Sequence, residues 1–167
     1  MSELFNADEI FEIAEQVERN GAKFYNRAAE NITDPDPRGI LLELAAAEVQ
    51  HQKTFAAMRE EILKQGQLAT VDPDFDLQGE AALYLHAIAD GHIFDTNLDI
   101  AETLTGKETV EEILLMALGR EKDAVIFYLG MKDMVSVKFG KDKIDHIIKE
   151  EMEHVTIISK QLKGLDQ

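Results

Sequence analysis

The sequence predicts an all-α protein, a four-helix bundle of two antiparallel helical hairpins joined by a long crossover that carries a short helix. Three observations point to it. Apolar residues recur at three- and four-residue steps through four long segments, and strand-like alternation is nowhere convincing. The three prolines, Pro35, Pro37 and Pro73, all fall between periodic segments. The chain has 167 residues, 45% of them apolar and 30% charged, which suits one domain, residues 1–167, with a real hydrophobic core.

The first helix opens at Asn6-Ala-Asp-Glu9, which has the form of a capping box, and continues through Ile10, Ala14, Val17, Gly21, Phe24 and Ala28 to about Asn31. Asp36-Pro37 reads as an N-cap followed by a first-turn proline. The second helix then carries Leu41, Leu44, Ala45, Phe55 and Ile62 to a stop at Gly66. The short connection makes these two helices an antiparallel pair over residues 6–66. Residues 67–107 are too many for an unstructured connection in a compact domain, and Ala81 to Phe94 is expected to form a short helix within them. Thr109-Val-Glu-Glu112 is a second capping box, opening a helix through Ile113, Ala117 and Tyr128 that fades near residue 136. The last helix follows Gly140, with Ile144, Ile147, Ile158 and Leu162 on one stripe, and ends at Gly164, completing a second hairpin over 108–164. Two short-looped hairpins with one long crossover is the ferritin-like variant of the four-helix bundle.

Composition removes several function classes. Seventeen Lys and Arg against 33 Asp and Glu give a net charge of −16, which excludes a simple nucleic-acid binder because phosphate contacts need a basic face. The absence of Cys removes disulfides, thiolate metal sites and Cys nucleophiles, leaving His and carboxylates as metal ligands. The longest run without Asp, Glu, Lys or Arg, Ala81 to Ala89, is far shorter than the about 20 residues that span a bilayer. No basic and apolar leader opens the chain, so the cytoplasm is the expected location.

The two hairpins superimpose in sequence at an offset of 103 residues, and the identities fall on ligand-type residues. Glu18 matches Glu121, Phe24-Tyr25 matches Phe127-Tyr128, Glu48 matches Glu151, and His51 matches His154. Each half therefore has a Glu on its first helix and Glu-x-x-His on its second. Residues seven apart share a helix face. Glu18 lies between Phe11 and Tyr25, Glu48 between Leu41 and Phe55, Glu121 between Leu114 and Tyr128, and Glu151 between Ile144 and Ile158. All four glutamates thus face the core, and no Lys or Arg is evident at those registers.

Four buried carboxylates would cost several kcal/mol each unless neutralised. Two divalent cations cancel four negative charges, and each His, one turn beyond a Glu, supplies one nitrogen per metal. The expected ligands are Glu18, Glu48, His51, Glu121, Glu151 and His154. Hard oxygen donors with some imidazole and no sulfur suit two iron ions, with manganese as the alternative. Tyr25 and Tyr128, two turns from a ligand, are candidates for a supporting catalytic role by hydrogen bonding a carboxylate of the opposite half. Gly21 and Ala124 are positioned to leave a gap for dioxygen or peroxide, although small residues at helix contacts more often mean close packing. Glu15, Glu43, Glu150 and Glu153 are the other carboxylates within reach of the site, but the repeat partners Leu118, His146 and Ala47 of the first three argue for surface carboxylates, with Glu150 the closest rival to Glu151. His86 and His92 lie in the unrepeated crossover and His146 aligns only with Glu43, so these three read as structural or exposed.

This pattern resembles the rubrerythrins and the wider ferritin-like di-iron carboxylate proteins over most of the chain. The resemblance implies that the six residues bind two irons, that hydrogen peroxide or dioxygen is the substrate, and that the assembly is oligomeric. Two departures stand out. Without Cys there is no rubredoxin-type domain, so electrons are expected from an external redox protein. Many rubrerythrins also carry another carboxylate one turn after the third-helix ligand, where this chain has Ala124. The alternative is iron binding, storage or ferroxidase entry without peroxidase turnover. Apolar residues beyond the bundle stripe, Leu83, Ile126 and Leu129, suggest a homodimer.

Overall fold

The computed structural model describes residues 7–64, 103–135 and 140–165, which form four α-helices and no strand. These are α1 (Ala7–Glu30), α2 (Pro35–Lys64), α3 (Val110–Met134) and α4 (Lys141–Leu165). Asn6, most of the crossover and its expected short helix at 81–94, with Leu83, His86 and His92, lie outside the described residues. The hairpins α1–α2 and α3–α4 are each closely packed, and they meet through α1 against α3 and α2 against α4.

The ends of the helices follow from local chemistry. At the start of α3, Thr109 accepts a hydrogen bond from the Glu112 amide at 3.1 Å while the Glu112 carboxylate accepts one from the Thr109 amide at 2.7 Å, the reciprocal capping box the sequence predicts. The start of α2 differs from expectation. It begins at Pro35 rather than after Asp36, because Asp34 Oδ1 accepts from the Asp36 amide at 3.2 Å and so caps the first turn. Pro35 has no N–H to leave unpaired and its fixed φ suits the first helical position. Between α3 and α4 the chain turns at Gly140, whose φ of 96° favours glycine, and a Cβ there would lie 3.0 Å from Met58 Cε.

The core falls into two apolar clusters. One gathers Phe11, Phe55, Phe127, Tyr128, Met131 and Ile144. The other gathers Phe24, Tyr25, Leu41, Leu44, Ile113, Leu114 and Ile158. Glu18, Glu48, Glu121 and Glu151 sit near the middle of their helices, between the two clusters, so the polar layer is closed at both ends by apolar side chains. Arg59 ties α2 to α1 through Asp8, Glu12 and Glu15, and Lys132 ties α3 to α4 through Asp145 at 2.7 Å. No helix among the described residues is long and apolar enough to cross a membrane.

Candidate metal centre

Glu18, Glu48, His51, Glu121, Glu151 and His154, one or two from each helix, meet in the centre of the bundle, and none is more than 9% exposed. Glu18, Glu48, His51 and Glu151 each place one potential ligand atom within 4.8 Å of the others. Glu121, Glu151 and His154 form a second such group. Glu151 belongs to both groups and so lies between them. The His51 and His154 rings are stacked across the α2–α4 contact with centroids 5.9 Å apart.

One nitrogen of each ring, Nδ1, points inward. His51 Nδ1 lies 3.0 Å from Glu151 Oε1 and 3.5 Å from Glu18 Oε2, and His154 Nδ1 lies 3.1 Å from Glu151 Oε2 and 3.3 Å from Glu121 Oε2. Glu18 Oε2, His51 Nδ1 and Glu151 Oε1 are all buried, yet none has a hydrogen-bond partner. Orphaned buried polar atoms are rare because each loses its hydration without compensation. Three of them converging from three helices form a donor set that a cation would satisfy.

The tyrosines cross the bundle. Tyr25, on the first hairpin, donates its hydroxyl to Glu121 Oε1, and Tyr128, on the second, donates to Glu18 Oε1. Each phenol is fully buried and engages a carboxylate of the opposite half, leaving the other oxygen of that carboxylate turned toward the cluster.

Three features differ from what the sequence predicts. The gap expected at Gly21 is filled: a Cβ there would meet Glu48 Cδ and Oε1 at 2.7 Å and Arg120 Nη2 at 2.9 Å. Gly21 thus makes room for the Glu48 carboxylate rather than for a small molecule. Arg120 is the second difference, a cation beside the site where none was evident. It precedes Glu121 by one residue, off the buried stripe, but its side chain folds back over the Phe24 ring, 5.4 Å from the centroid, and its buried Nε has no hydrogen-bond partner. The third is Glu150, expected as a surface carboxylate, whose Oε2 lies 3.1 Å from His51 Nε2 on the far side of the ring from the cluster. Neither Arg120 nor Glu150 is repeated, since the 103-residue offset places Val17 and Ala47 at their positions, so the repeat that marks the other residues is silent on both. Glu43, Glu153 and His146 are exposed, and Glu15 pairs with Arg59 at 3.6 Å.

Burial governs the electrostatics. It pushes the Glu18 carboxyl up to about 8, Glu48 well above the usual carboxylate range and, with its contact to Glu151, Glu121 up to about 7. Burial opposes charge on Glu151 too, but its contacts with Glu121, His154 and His51 outweigh that and hold it below the usual range. Burial disfavours both imidazolium ions, yet the adjoining carboxylates prevail, raising His51 to about 9 and His154 to about 10. Without a cation, therefore, the cluster keeps its charge down by holding protons at neutral pH.

A crystal structure of a Thermotoga maritima protein, provisionally described as a ferritin-like diiron-carboxylate protein, matches this architecture with a TM-score of 0.70 over 98% of both chains, at 21% sequence identity. The fold is ferritin-like. No family model matches the sequence, and no curated protein does. In this bundle the central layer receives one Glu or one Glu-x-x-His pair from each helix, which is why the six residues meet.

Proposed function

We propose that the chain is a non-haem di-iron protein that performs redox chemistry on hydrogen peroxide or dioxygen, in the manner of the rubrerythrins. The observation that carries this reading is the convergence of Glu18 Oε2, His51 Nδ1 and Glu151 Oε1, buried and without hydrogen-bond partners, in a cluster of four carboxylates and two imidazoles. Hard oxygen donors with imidazole and no sulfur fit iron, and manganese next. Four carboxylates balance two divalent ions, which removes the desolvation cost of burying them. When bound, two ferrous ions supply two electrons, which with two protons convert one hydrogen peroxide to two water molecules.

The protein's own residues hold that chemistry in place. Tyr128 and Tyr25 fix one oxygen of Glu18 and of Glu121, so that the second oxygen of each is presented to the cluster. The apolar clusters above and below exclude bulk water, which strengthens every interaction inside. Re-reduction falls to an external redox protein with a basic face, which a net charge of −16 attracts. Leu115, Ile126 and Leu129 are 52%, 44% and 42% exposed along one face of α3, and they support a homodimer, checked by sedimentation at micromolar concentration.

Metal analysis tests the site and stopped-flow mixing tests the reaction. The Glu48→Ala/Glu151→Ala variant is expected to lose most bound iron while keeping its helices. Two irons per chain retained by that variant overturn the site. Anaerobic ferrous protein mixed with one equivalent of hydrogen peroxide is expected to show the ferrous-to-ferric absorption change faster than with dioxygen, and to be re-reduced by an added donor. No change with either oxidant overturns the redox reading, and iron accumulating beyond two per chain replaces it with storage.

A further inference from the structure

We infer that the two metal positions are unequal, and that Glu150 makes the His51 position the tighter one by holding the far nitrogen of that ring. This rests on reading the buried cluster as a two-metal site. A neutral imidazole that offers Nδ1 to a cation carries its proton on Nε2. Glu150 Oε2 lies 3.1 Å from His51 Nε2, and a carboxylate only accepts, so it selects the tautomer whose Nδ1 lone pair faces Glu18 and Glu151. The same contact fixes the plane of the ring and makes Nδ1 a stronger donor. The Glu150 side chain is 40% exposed, and His146 Nε2 lies 3.7 Å from its other oxygen.

Among the described residues, no carboxylate stands behind His154 as Glu150 stands behind His51. The 103-residue offset that superimposes the ligand residues places Ala47, a methyl group, where the second half has Glu150. The remaining differences have the same sign. Four residues converge on the His51 position and three on the His154 position, and the His154 side chain is 11% exposed where that of His51 is 3%. Glu150 is thus a positioning residue, acting on the metal through His51, and the pseudo-symmetric bundle is unsymmetrical in the layer around its ligands.

Cobalt(II), added to the full-length protein and followed by calorimetry and visible absorption, tests this. The unaltered chain is expected to take two ions in two separable steps. Glu150→Ala should weaken the first step roughly 10- to 100-fold, the usual effect of losing such a partner. Glu150→Gln should recover most of the loss, because the amide oxygen accepts the same proton, a rescue that a merely structural role would not produce. Ala47→Glu supplies the missing carboxylate to the other half and should tighten the second step. Circular dichroism checks that each variant keeps its helices. Two ions binding with one affinity, or a first step unmoved in Glu150→Ala, overturns the inference and leaves the two-metal site standing. Failure of the unaltered chain to bind cobalt overturns both.

Discussion

Gly21 is constrained by the Glu48 carboxylate and not by its own backbone, which is ordinary α-helix. In a free helix interior Gly→Ala stabilises by about 1 kcal/mol. Here the new Cβ would press on the far end of the flexible Glu48 side chain, which yields by swinging its carboxylate out of the cluster. Gly21→Ala is therefore expected to fold and to lose metal affinity by about tenfold or more, at least what losing a ligand's supporting partner costs. Gly39→Ala and Gly119→Ala, with nothing within 4 Å of the added carbon, should leave affinity alone, and metal titration of the three variants decides the point. The tyrosines make a second residue-scale prediction. Tyr128→Phe strips Glu18 of a buried donor and should cost about 1–3 kcal/mol in urea unfolding of the metal-free chain, with Tyr25→Phe similar through Glu121. The six clustered residues are legible in sequence because a carboxylate between two apolar residues seven apart is forced into the core, and its recurrence at equal spacing in both halves points to a shared counter-charge. Arg120 is not legible, and Glu150 is legible only as a rival to Glu151 and not as the partner of His51, since each acts across helices from a position whose periodicity is that of a surface residue.

Helix boundaries show which signals are local enough to read. Thr109 and Glu112 satisfy each other within four residues, so sequence alone places the start of α3. At α2 two Asp-Pro pairs compete, and the choice falls to Asp34 because capping there starts the helix two residues earlier, about half a turn: the Arg38 amide donates to the Asp34 carbonyl at 3.2 Å. Both pairs carry the same signal, and only the finished backbone separates them. Thr109→Ala removes a cap far along α3 from the cluster and should lower stability by about 1 kcal/mol without changing metal stoichiometry. A parallel melt and metal analysis of that variant separate helix stability from site integrity. A loss of metal in it would show that the start of α3, not only its centre, sets the position of Glu121.

At the scale of the whole molecule, the bundle is two copies of one hairpin closing a charged layer between two apolar ones, and that arrangement links stability to pH. Glu18, raised to about 8, and Glu121, raised to about 7, bind protons in the folded chain that they would release in the unfolded chain above about pH 4.5. His51 and His154, raised to about 9 and 10, do the same above about pH 6.5. The folded chain then holds more protons than the unfolded one across this range, so the stability these groups contribute is full at low pH and is lost as pH rises through their folded values. Glu151, held below its usual range, has the opposite sign, but its contribution is already complete above about pH 4.5 and does not alter the slope at higher pH. Metal-free protein is accordingly expected to show a falling melting temperature from pH 5 to pH 9. Metal binding displaces the same protons, so the increment added by saturating metal should grow over that interval. Calorimetric melts of the metal-free and metal-saturated protein at matched ionic strength test both slopes. A metal-free melting temperature that rises with pH would mean that the buried carboxylates are already charged and neutralised by other groups, and the electrostatic case for two cations would go with it.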